Sequence, residues 1–131
     1  MGREEETRSL GNINSYRDLL IWQVAIDIAV ACYEATKSLP PSELYGLTSQ
    51  IRRAATSIPA NIAGGYGRES RAAFIQFLRI AHGSLKELET HLFLATKLDL
   101  LVDDVSGAIL YRTDELGRML RGMIRSLQRK R

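Results

Sequence analysis

Cysteine occurs once in this 131-residue chain, at Cys32. One thiol closes no internal disulfide, so nothing points to an oxidising compartment and a cytoplasmic location is expected. Cys32 has no candidate base near it in sequence and reads as packing. Histidine is nearly as scarce: His82 and His91 are the only two, and their spacing puts them on opposite sides of a helix. A di-iron site in a helical bundle needs Glu-x-x-His motifs on two helices and inward glutamates on two more; none occurs, so no metal or cofactor is expected. No apolar run reaches the ~18 residues of a membrane span. The chain opens on Arg3, Glu4, Glu5 and Glu6, which is not the pattern of a signal peptide, and Glu6 stands where myristoylation requires Ser or Thr. No stretch alternates apolar and polar residues as a strand does.

Apolar residues make up 45% and charged residues 25% of the chain, the composition of one soluble domain with a continuous core. Residues 1–15 are polar, broken by Gly11, Asn12 and Asn14, and read as a flexible arm; 16–131 read as the folded domain. The apolar period predicts a first helix near Asp18 to Ser38. It carries one stripe of Ile21, Val24, Ala25, Ile28, Ala29 and Cys32, and beside it a second of Trp22, Ile26, Val30 and Tyr33. The second stripe either fills a wide core or faces another subunit. Pro40 and Pro41 end this helix.

A third helix starts at Ser70, a good N-cap, and buries Phe74, Phe77, Leu78, Ala81, Leu85, Leu88, Leu92 and Ala95 before ending near Leu98. A fourth follows a turn in which Asp103 or Asp104 serves as cap, and Val105, Ile109, Leu116, Leu120, Met123 and Leu127 share its inner face. Arg112 falls within that apolar stripe and must snorkel, pair with an acid or meet an interface.

Between them, Leu47 to Arg68 reads LTSQIRRAATSIPANIAGGYGR. Leu47, Ile51, Ala54, Ala55, Ile58 and Ile62 recur at helical spacing, and the small inward residues admit close neighbours. Pro59 removes a backbone donor and crowds the carbonyl of Ala55, which predicts a kink. Ser57 and Asn61 are placed to serve the backbone groups that the proline leaves unpaired. Gly64, Gly65 and Gly67 are read as a C-terminal stop in left-handed conformation. Gly65-Tyr66-Gly67 is no dinucleotide loop, because it ends a helix and Ser70 stands where the third glycine belongs. Four helices with short connections make an antiparallel up-down-up-down four-helix bundle, all-α, with a proline-kinked second helix.

The segment Gln50 to Arg68 resembles the defining motif of the four-helix-bundle family named after the 23S ribosomal RNA intervening sequence. The likeness continues through Tyr16 to Leu19, Trp22-Gln23, Phe74 to Leu78, Gly83 to Leu85 and Glu87 to Glu89, and spans about residues 15–128. The family usually has Glu where this chain has Gly64. The resemblance implies a homopentamer forming a barrel-shaped ring with a basic surface. It also implies a relationship to the accessory proteins of diversity-generating retroelements, which assist a reverse transcriptase and its RNA template.

Net charge is only +3, so its distribution matters more than its size. From Arg52 to Lys86 the bases are Arg52, Arg53, Arg68, Arg71, Arg79 and Lys86, against one acid, Glu69. On the fourth helix Arg118, Arg121, Arg125 and Arg129 fall opposite the core. These are either an ordinary solvated face with cations offsetting a helix dipole, or contacts to phosphate, for which arginine is well suited. Few aromatics interleave with them, so shape would govern recognition of RNA or DNA. Nothing assembles a nucleophile, a base and an oxyanion site. The expectation is a non-catalytic nucleic-acid-binding oligomer. The alternative is a helical scaffold holding a protein partner on the second stripe of the first helix.

Overall fold

The computed structural model describes residues 13–129. Four α-helices form it: α1 (Leu20–Thr36), α2 (Leu47–Tyr66), α3 (Arg71–Lys97) and α4 (Asp103–Arg129). Each packs on its chain neighbours and α1 closes the circle against α4, as in an up-down-up-down bundle. Most of the predicted apolar faces are the core. Ile21, Ala25, Ile28 and Cys32 of α1 meet Ile51, Ala55, Ile58 and Ile62 of α2, Leu78, Leu85, Leu88 and Leu92 of α3, and Leu116 and Leu120 of α4. Three expected core residues differ: Val105 is exposed, and Val24 and Phe77 are half-buried.

The arm expected over 1–15 lies outside the described residues except for its last three. Those three are engaged. Ile13 packs against the core, and Ser15 and Asp18 form a capping box on a 3-10 turn, Tyr16–Asp18, that leads into α1. Lys130 and Arg131 also lie outside the described residues.

Two readings of the second helix change. The helix runs without interruption through Pro59, but Ser57 and Asn61 do not turn to the Ala55 carbonyl. Asn61 Nδ2 donates to the Ser57 carbonyl (2.8 Å) and Oγ (3.0 Å), and Ser57 Oγ shares a hydrogen bond with Ser84 Oγ of α3 at 2.9 Å. The polar pair joins two helices. The glycines are not a left-handed stop either. Gly64 and Gly65 are helical, Gly67 has φ −67°, and the left-handed residue of this turn is Glu69, φ 56°. Gly65 is buried against Phe74 and Phe77 of α3. Its lack of a side chain serves helix contact, which is the second use of glycine in a helix.

At the connection between α2 and α3 the expected cap is present. Ser70 Oγ accepts from the Ala73 amide at 3.3 Å and opens α3. Asp103 and Asp104 lie in the first turn of α4 rather than at its cap, where their charge still complements the helix dipole. Arg112 resolves by pairing: its Nη2 lies 3.5 Å from Asp27 Oδ2, tying α4 to α1. Thr113, fully buried, donates to Glu89 Oε2 at 2.8 Å and so carries a carboxylate of α3 into the helix interface.

Candidate nucleic-acid interface

The basic residues separate into two groups once their surroundings are seen. On α3, Arg79 and His82 stand one turn apart; on α4, Arg121 and Arg125 stand one turn apart, with Ile124 and Gln128 beside them. Together these six line a groove of about 460 Å³ between the helices. Three arginines from two stripes thus converge, and no carboxylate among the described residues lines the groove. Ile124 gives it an apolar floor, being 8% exposed.

His82 is the member that sequence reasoning passed over. Arg121 Nη1 lies 3.3 Å from His82 Nε2. A guanidinium only donates, so a hydrogen bond here requires Nε2 to accept, which only the neutral imidazole with its proton on Nδ1 can do. Its environment agrees. Burial pushes the His82 pKa below its ordinary value, Lys86 and Arg121 push it further, and Glu89 opposes them. The signal in the sequence was the Arg79-x-x-His82 spacing, which puts both side chains on one face; what it lacked was the facing helix.

Other predicted contacts are engaged in the fold. Arg52 is half-buried: its Nε donates to Thr36 Oγ1 at 2.9 Å and its guanidinium lies 4.6 Å from the centre of the Tyr33 ring, latching α2 to α1. Lys86 pairs with Glu89 at 3.1 Å, Arg118 with Asp114, and Arg53 bonds Gln50. Arg68 lies over the Phe77 ring, 5.1 Å from its centre. Arg71 is exposed at the first position of α3, and Arg129 is exposed at the last position of α4. The fourth-helix stripe is therefore not uniform: Arg121 and Arg125 enter the groove while Arg118 is held by its own helix.

The second stripe of α1 divides as well. Trp22 and Ile26 are half-buried, Trp22 against the edge of Tyr16 with ring centres 5.3 Å apart. Val30 is 57% and Tyr33 42% exposed, so the stripe is partly uncovered on a single chain. Glu87 and His91, four apart on α3, are unlike: Glu87 is exposed, whereas His91 Nε2 is buried with no hydrogen-bond partner among the described residues. None of the helices among the described residues is long and apolar enough to cross a membrane.

No curated protein matches the chain. A solved structure does: a protein with unknown function from the S23 ribosomal protein family of Bacteroides thetaiotaomicron VPI-5482. It is 27% identical, with a TM-score of 0.75, and the match covers 81% of this chain and 96% of that one. The family model for the 23S rRNA-intervening sequence protein matches residues 17–122, from the turn before α1 to most of the way along α4. The chain belongs to the 23S rRNA-intervening sequence protein family.

Proposed function

We propose that this protein is a non-catalytic nucleic-acid-binding subunit that works as a homo-oligomer in the cytoplasm. The observation that carries this reading is the groove where Arg79, Arg121 and Arg125 converge with no lining carboxylate among the described residues. A helix face that merely solvates its charges interleaves the two signs, as Asp114 and Arg118 do on the outer side of α4. Three arginines gathered from two helices repel one another, and a phosphate relieves that repulsion while releasing counterions.

The family likeness favours RNA as the ligand and a ring as the assembly, with a reverse transcriptase and its template among the partners such a subunit would serve. A ring repeats the groove once per subunit, so weak single contacts combine. The scaffold reading has one observation in its favour, the exposure of Val30 and Tyr33 on α1; in a ring those residues would face a neighbour.

The test is a gel mobility shift with structured RNA and with duplex DNA across a salt series. Binding that weakens linearly in log salt supports the reading. The variant with Arg118, Arg121, Arg125 and Arg129 all changed to Gln, shown first to keep its oligomer mass, should lose affinity by a similar factor for every sequence. Wild-type affinity and salt slope in that variant would reject the proposed surface.

A further inference from the structure

The pair formed by His82 and Arg121 has a consequence for ligand entry. Two groups that are both donors when charged stand 3.3 Å apart, and only the neutral imidazole lets one accept from the other. A protonated His82 would break that bond and place another positive charge beside Arg121, with Arg79 and Arg125 also lining the groove. An empty groove therefore resists protonation. An anion reverses the balance: an oxyanion accepts from Arg121 and from a protonated Nε2 together, and its charge stabilises the imidazolium.

We propose that one backbone phosphate of the bound nucleic acid enters the groove between Arg79, Arg121 and Arg125, and that His82 gains a proton as it does so. Nucleic-acid affinity is then coupled to proton uptake at this residue, and acidification strengthens binding. This inference rests on the nucleic-acid reading above and adds to it a specific phosphate site and its regulation. The charged groups around His82 set the balance. Lys86 and Glu89 act from its own helix, and Glu89 is itself held by Lys86 and by Thr113 of α4. Arg121 acts directly from α4, and Arg79 of α3 and Arg125 of α4 line the same groove. In the free protein burial first, then Lys86 and Arg121, disfavour the imidazolium against the opposing Glu89; the phosphate adds the missing negative charge.

The sign follows from linkage. The imidazole binds its proton more weakly in the free protein than in the complex, so complex formation takes up a proton over the pH range between those two affinities. Affinity rises as pH falls through that range and levels off below it.

The experiment measures binding of a tetramethylrhodamine-labelled oligouridylate, of which neither the bases nor the dye titrate in this range, at constant ionic strength from about pH 8 to about pH 5.5, where imidazoles change charge. Wild type should bind at least about threefold more tightly at the acid end, and His82→Gln, which still accepts from Arg121, should lose that dependence. His91→Gln should keep it. In parallel, the imidazole carbon-bound proton resonance of His82 in the wild-type protein should titrate at higher pH with the oligonucleotide than without it, a readout independent of any variant's folding. If wild type binds but His82→Gln retains the full pH dependence, or if the His82 titration does not move on binding, the proton-coupled phosphate site is overturned while the nucleic-acid reading stands. If wild type fails to bind the oligouridylate at low salt at every pH but shifts structured RNA or duplex DNA, the phosphate site alone is overturned; if it binds none of them, both are overturned.

Discussion

A methyl group at Gly65 would lie 2.5 Å from the Cβ of Phe77. Real Cβ atoms do not approach so closely, so α2 and α3 meet there only because residue 65 has no side chain. Gly64, one residue earlier, is different: a methyl group there comes no closer than 3.5 Å to the Phe77 ring, an ordinary contact.

The two adjacent glycines therefore predict opposite outcomes. Gly65→Ala should lower stability by roughly 1–3 kcal/mol, the range for overpacking a close contact. Gly64→Ala should raise it by roughly 0.5–1 kcal/mol, because alanine loses less backbone freedom in a helix. Urea unfolding of the two variants decides the matter, and equal effects would show that the close approach at Gly65 is not limiting.

Arg52 and Arg53 are neighbours in sequence and differ in role. Arg52 bonds Thr36 and covers Tyr33, whereas Arg53 reaches only Gln50 on its own helix. Arg52→Gln should cost roughly 1–2 kcal/mol, the sum of a cation–π contact and a hydrogen bond. Arg53→Gln should stay within about 0.5 kcal/mol of wild type. Thermal melts of both variants at one protein concentration provide the comparison.

Arginine replacements should also separate by their place on α4. Arg125→Gln removes a groove cation and should lower the slope of log affinity against log salt by about one. Arg118→Gln removes a charge already balanced by Asp114 and should leave the slope nearly unchanged. Fluorescence anisotropy with one RNA at several salt concentrations measures both. Equal slopes for the two variants would mean that the groove is no more than solvated surface.

The ring proposal is testable on α1. With Val30 and Tyr33 exposed, Val30→Glu places a charge where a subunit contact would be dry, and a ring should break down toward monomer at micromolar concentration. Light scattering of wild type and variant reads the mass directly. A wild-type protein already monomeric would end the proposal. The fold of the single chain should survive the change, since the residue is on the surface.

Cys32 gives a prediction in pH. Burial pushes its thiol pKa up to about 12, while in the unfolded chain the thiol ionises near its ordinary value of about 8.5. A thiol that resists ionisation in the native state adds stability that is fully present below the unfolded value and lost as pH rises toward the folded one. Stability should fall above pH ~9 by up to about 1.4 kcal/mol per pH unit. Cys32→Ala should remove this part of the slope. The same burial predicts that thiol reagents label the native protein only as fast as it opens.

Most of the bundle was legible in the sequence because it depends on local periodicity. Ile51, Ile58 and Ile62, or Leu78, Leu85 and Leu92, announce a buried face wherever their partners lie, and the Ser70 cap depends only on the residues beside it. The glycine pair was misread because the same residue type serves a left-handed turn or a close helix contact, and only the position of Phe77 on another helix distinguishes them. Pro59, Ser57 and Asn61 carried a similar ambiguity, settled in the fold by Ser84. The arginines were visible as stripes, but a stripe does not say which cation faces another helix. Tertiary structure decided that Arg52 became a latch, that Arg112 met Asp27, and that Arg79 and His82 of α3 came to stand across from Arg121 and Arg125 of α4. Sequence fixes what each helix must bury, because burial follows the helical period. The facing of one helix on another decides where charge gathers, because that depends on the rotation of two rigid elements brought together by a core that contains neither group.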